Sequence, residues 1–94
     1  SGPYISCVGA HLVNGARLVD LEVFYWRHVN AEVDFILARG GQAIAIEVKS
    51  SRRRTAVPGI AAFAERFDVH RKLLVGGQGI PLEEFLATDV QAWF

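Results

Sequence analysis

The amino-acid sequence predicts an α/β domain with its elements in the order α-β-β-β-α-β-α. Apolar residues recur at helical spacing at the start, in the middle and near the end of the chain. Between those stretches lie short runs of strand formers broken by glycine turns. The 94 residues, 51% hydrophobic and 11% aromatic, suit one compact domain with one modest core, so residues 1–94 are read as a single unit.

The first helix is predicted from YISCVGAHLVNG, where Ile5, Val8, Leu12 and Val13 fall near one helical face and Gly15 follows Asn14 as a stop. DLEVFYWRH is dense in strand formers, and AEVDFILAR and QAIAIEVKS follow as two more apolar runs. The weak turn HVNA and the strong turn Gly40-Gly41 separate these three strands. In VPGIAAFAERFD, Pro58 suits a first helical turn, with Ile60, Phe63, Ala64 and Phe67 at helical spacing. VHRKLLVGG reads as a fourth strand and PLEEFLAT as a short helix. DVQAWF is a tail whose Trp93 and Phe94 should dock on something apolar. Ser50 to Thr55 is the one linker-like stretch.

Ten basic and ten acidic residues cancel, so the whole chain is not an electrostatic nucleic-acid binder, and any such surface must be a local patch. The single Cys7 cannot form an internal disulfide and reads as core filler on an apolar helix. No apolar run approaches the roughly 18 to 20 residues of a membrane span, and no charged leader precedes an apolar stretch. A cytoplasmic protein without a membrane partner is the expectation. The start at Ser1-Gly2-Pro3 and the lack of methionine suggest a piece of a longer gene product, with Ser1-Gly2 as an expression scar.

The most informative stretch is AEVDFILARGGQAIAIEVKSS, in which charged residues interrupt apolar runs. With Gly40 and Gly41 at the centre of a tight hairpin, Arg39 faces Gln42, and the register carried down the strands sets Asp34 against Glu47 and Glu32 against Lys49. All four charges then share one face. Two carboxylates in directly opposed positions repel unless something positive lies between them. A hard divalent cation such as magnesium, which takes carboxylate and carbonyl oxygens and keeps several waters, suits that pair. Zinc does not, since no Cys/His cluster is apparent.

Asp34, followed after twelve residues by Glu47-Val48-Lys49 on the second and third strands, resembles the PD-(D/E)xK signature of the restriction-endonuclease-like superfamily. More narrowly, GAHLVN, FYWR, EVDFIL, IEVKSS and IPLEEFL, in this order, resemble the C-terminal domain of a family of prokaryotic AAA+ ATPases. The resemblance implies a restriction-endonuclease-like α-β-β-β-α-β core with a mixed four-stranded sheet flanked by helices. It also implies an N-terminal ATPase partner domain elsewhere in a longer chain. ATP would bind there, because nothing in this sequence resembles a Walker loop. In active members the acids matching Asp34 and Glu47, with the carbonyl of the residue matching Val48, hold magnesium, and the lysine matching Lys49 orients or deprotonates the attacking water. A further glutamate on helix one is usual in the family. This chain reads Tyr4-Ile5-Ser6-Cys7 there, and its first acid is Asp20.

Each feature also has a plainer explanation. The acidic pair and Lys49 can be a degenerate patch whose charges pair among themselves, Glu32 with Lys49 and one acid with Arg27. Arg52, Arg53 and Arg54, with Arg71 and Lys72 nearby, can bind nucleic-acid phosphates or form a solvated loop. His11, His28 and His70 are scattered, which favours structural roles. Of Tyr25 and Trp26, one should be core and one surface. Two readings of function follow. In one the domain is a magnesium-dependent phosphodiesterase using Asp34, Glu47 and Lys49. In the other it is a nuclease-like accessory module serving docking, dimerisation or nucleic-acid association without turnover. The absent helix-one acid favours the second, with only weak magnesium binding expected from two carboxylates.

Overall fold

The computed structural model of the chain describes residues 3–49 and 57–94. The first helix, α1, runs Pro3–Ala16, and three antiparallel strands follow: β1 Glu22–His28, β2 Ala31–Arg39 and β3 Gln42–Val48. A two-residue strand, β4 Val57–Pro58, precedes α2 Ile60–Arg66. Then come β5 Val69–Val75, α3 Leu82–Ala87 and a 3-10 turn at Val90–Trp93. The sheet order is β1-β2-β3-β5, with β5 parallel to β3, and β4 lies beside β2. The predicted α-β-β-β-α-β layout, with a mixed sheet flanked by helices, is the layout of this chain.

The sheet buries a core on each face. On one side Val8 and Leu12 of α1 pack with Leu37, Ile44, Ile46, Val48, Val75 and Phe85. On the other, Phe63 of α2 covers Val33, Ile36 and Ala45, with Trp26 packed against them. Within β3 the alternation of Ile44 and Ile46 with Ala45 assigns odd and even positions to opposite faces, as strand geometry requires. The C-terminal tail docks as expected: Val90 is buried, and Trp93 stacks on Phe85 with centroids 5.4 Å apart.

The hairpin holds the predicted register, from Arg39↔Gln42 through Phe35↔Ile46. Gly40 supplies the positive φ that its tight turn needs. Beyond Phe35 the strands part. Between β1 and β2 the pairing passes from Phe24↔Ile36 to Trp26↔Val33, so β2 carries one extra residue, a bulge at Asp34 and Phe35. Past the bulge β2 takes a new neighbour, β4, through Ala31↔Val57 and Glu32↔Pro58. The result is a fork in which β4 stands beside β2 where β3 would have continued.

The structure corrects several expectations and bears out that of one core and one surface aromatic in β1. Glu32 does not oppose Lys49: its two neighbours are Arg27 on β1 and Pro58 on β4. Pro58 lies in β4 and not in the first turn of a helix; its missing N–H suits a two-residue strand, and Gly59 caps α2 instead. Cys7 is exposed and fills no core, and Val13 is half exposed, because the buried stripe of α1 is Val8, Leu12 and Ala16. Trp26 is the core aromatic and Tyr25, 54% exposed, the surface one. The linker-like Ser50 to Thr55 stretch, with Arg52, Arg53 and Arg54, lies outside the described residues.

Candidate functional site

Asp34 and Glu47 are the buried acidic residues of the described chain, at 6% and 7% exposure. The bulge places Asp34 at the mouth of the fork, between Val33 and Phe35, which pack into opposite cores. From there its Oδ2 accepts a hydrogen bond from the Val48 N–H at 2.7 Å. A side chain thus completes the bond that a main-chain carbonyl of β2 would have made had the ladder continued. Neither Asp34 nor Glu47 is without partners.

Strand geometry also fixes the direction of the Val48 carbonyl. The Lys49 N–H donates to the Val75 carbonyl at 2.8 Å, so the N–H and C=O of the preceding residue project from the opposite edge of β3, toward the fork. Asp34 and the main chain of Val48 therefore converge on one spot. Glu47, between the core residues Ile46 and Val48, projects by alternation to the α2 face. Lys49 is exposed, and its aliphatic stem runs against the turn after β5: a Cβ on Gly77 would lie 2.8 Å from its Cγ, and one on Gly76 2.7 Å from its carbonyl oxygen. Both glycines have positive φ, so the turn wraps the lysine with bare backbone.

The other predicted charge, Glu32, serves a different cluster. Its Oε2 accepts from the Tyr25 hydroxyl at 3.1 Å and pairs with Arg27 at 3.4 Å. Desolvation raises the Tyr25 phenol above its ordinary value, and the Glu32 hydrogen bond and charge push it the same way. The histidines stand apart. His11 bonds the Thr88 carbonyl and packs edge-on to Phe85; the Arg66 guanidinium donates to His28 at 2.8 Å; His70 lies between Gln42 and the Phe94 carbonyl.

As a magnesium site the arrangement offers two carboxylates and one carbonyl, with one carboxylate oxygen already bonded to an N–H. No group of three His, Cys, Asp or Glu side chains suited to a metal occurs among the described residues, and α1 has no acid in its first turn. Oxygen donors of this kind are the type a hard cation takes, and they are too few here to replace most of its waters. Sequence reasoning missed the Asp34 to Val48 bond and the glycine wrap around Lys49. The pair Gly76-Gly77 was the available signal for the latter.

Residues 6–87 match the model of a family described as a domain of unknown function, DUF4143. The chain belongs to the DUF4143 family. The match takes in Asp34, Glu47, Val48 and Lys49, and stops before the closing turn at Val90–Trp93. No curated protein and no solved structure matches the chain.

Proposed function

We propose that this DUF4143 domain is a nuclease-like accessory module of a prokaryotic AAA+ ATPase, acting by docking or nucleic-acid association with little or no turnover. The observation that carries this reading is the bond from the Val48 N–H to Asp34: the carboxylate that would lead a metal site is buried and spent on closing a fork in the sheet. Glu32 is spent on Tyr25 and Arg27, and α1 as described, Pro3–Ala16, carries no acid. The link to an ATPase rests on the resemblance of GAHLVN, FYWR, EVDFIL, IEVKSS and IPLEEFL. Arg52 to Arg54, which follow β3 in the sequence, are the candidate phosphate-contacting residues.

One observation favours the second reading, a magnesium-dependent phosphodiesterase. Asp34 and the main chain of Val48 converge at the fork, with Glu47 and Lys49 on either side of Val48 along the chain. There, Asp34, Glu47 and the Val48 carbonyl would hold magnesium, which would acidify a bound water, and Lys49 would position that water. The test is a metal-dependent cleavage assay on the full-length protein, wild type beside Asp34→Asn and Lys49→Ala, over single- and double-stranded DNA and RNA. The accessory reading expects no cleavage from any of the three. Cleavage by wild type that both substitutions abolish would overturn it.

A further inference from the structure

The sheet ends on one side in an open edge. β5, the opposite edge, is partly covered: Ile80 bridges to Val75, its N–H donating to the Leu74 carbonyl at 2.8 Å, and the chain end packs nearby through His70 and Phe94. β1 has no such cover among the described residues, although it spans seven residues, Glu22–His28. EVFYWRH contains neither proline nor lysine, its charged Glu22 and Arg27 flank an apolar centre, and the bulge belongs to β2 and leaves β1 regular. Its apolar side chains face solvent: Phe24 is 44% and Tyr25 54% exposed, and Phe67 beside them 49%.

We propose that β1 pairs antiparallel with β1 of a second copy of this chain, joining two sheets into one across a two-fold axis at Tyr25. The outward N–H and C=O groups of a strand come from every second residue. Two copies can therefore pair only in registers that match outward with outward, and the one that overlaps the whole strand sets Glu22 against His28, Val23 against Arg27, and Phe24 against Trp26.

That register is complementary. Glu22 is exposed and has no ion-pair partner among the described residues. The register brings it to His28, which carries the Arg66 guanidinium 2.8 Å away on its ring nitrogen. The acid at one end of β1 thus meets the basic pair at the other end of its copy, twice per dimer. Phe24 meets Trp26, whose ring already packs with Phe63 and Phe67 at 5.3 and 6.4 Å, extending an aromatic cluster across the axis. Because both copies use the same strand, the contact is closed and stops at two.

The surface is independent of Asp34 and Lys49, so its test does not depend on the accessory reading. Sedimentation equilibrium of the 94-residue chain is expected to give twice the chain mass at high protein concentration. Phe24→Lys, which places a solvated charge at the apolar centre of the edge, should leave a monomer. Glu22→Arg should weaken the dimer about tenfold by setting like charges together at both contacts, and Glu22→Arg with Arg66→Glu should recover most of that loss. Far-UV circular dichroism checks that each variant folds; if Phe24→Lys does not, the exposed Glu22 variants decide. A wild-type monomer at all concentrations, a larger assembly, a dimer indifferent to Glu22→Arg, or a double variant no tighter than Glu22→Arg alone would overturn the proposal.

Discussion

Asp34 illustrates how one residue can be read from sequence for its chemistry and from structure for its bonding. An aspartate inside EVDFIL invites a catalytic interpretation, because a buried charge needs a reason. Here the reason on view is the Val48 N–H, an orphan of the parted ladder that would cost about 1–3 kcal/mol if buried without a partner. Asp34→Ala should therefore lower stability by roughly that amount, measured by urea denaturation. Asp34→Asn keeps a carbonyl acceptor for the Val48 N–H, so its cost should stay below about 1 kcal/mol. Equal losses in the two variants would show that the carboxylate charge, and not its acceptor oxygen, is what the fork requires.

At the scale of elements, the fork depends on the close approach of Gly59 to β2. Its N–H donates to the Glu32 carbonyl at 2.7 Å, and a Cβ on it would lie 2.7 Å from the Glu32 nitrogen and 2.9 Å from its carbonyl carbon. Backbone cannot step aside as a flexible side chain can. Gly59→Ala should accordingly push β4 off β2 and cost roughly 1–3 kcal/mol, whereas Gly40→Ala, with open space around it and φ of 57°, should carry only the left-handed penalty of about 1 kcal/mol. Thermal melts of the two variants would separate the effects, and a Gly59→Ala melt at the wild-type temperature would refute the wedge. The same fork explains what was legible in the sequence. Gly40-Gly41 and its flanking alternation are local, so the hairpin and its register could be read as far as Phe35↔Ile46. The bulge at Asp34 and Phe35 and the swap from β3 to β4 depend on Val57 and Pro58, distant in sequence, and no local pattern announces them. Pro58 is ambiguous in sequence for the same reason, since proline suits both a first helical turn and the edge of a short strand. Glu32 and Lys49 followed from a register that the fork interrupts.

Across the whole molecule, the two-sided sheet is closed on its larger core by the C-terminal turn, and the closure comes down to one contact of α1. Val90 is 1% exposed, and its turn is capped by Asp89, whose carboxylate accepts from the Gln91 N–H at 2.9 Å. Its methyl groups sit over Gly15: a Cβ there would lie 2.8 Å from both Cγ1 and Cγ2. The bare glycine near the end of α1 is thus the socket into which the closing turn fits, and the two positions should be energetically coupled. Val90→Ala empties the socket and should cost roughly 1.5–3 kcal/mol, a sizeable part of the about 5–15 kcal/mol that holds a domain of this size together. Gly15→Ala alone gains helix propensity of about 1 kcal/mol but forces its new methyl into Val90, so it should be neutral to destabilising. In the double variant the added methyl occupies the space that valine vacated, so much of the cavity disappears and the clash eases to a tight 3.3 Å approach to the residue-90 Cβ. A double-mutant cycle by urea denaturation should therefore show the pair to be more stable than the sum of the single changes by about 1 kcal/mol or more. Additive effects would mean that the turn at Val90–Trp93 is held by Trp93 on Phe85 alone, and that the helix and the tail stabilise the core independently.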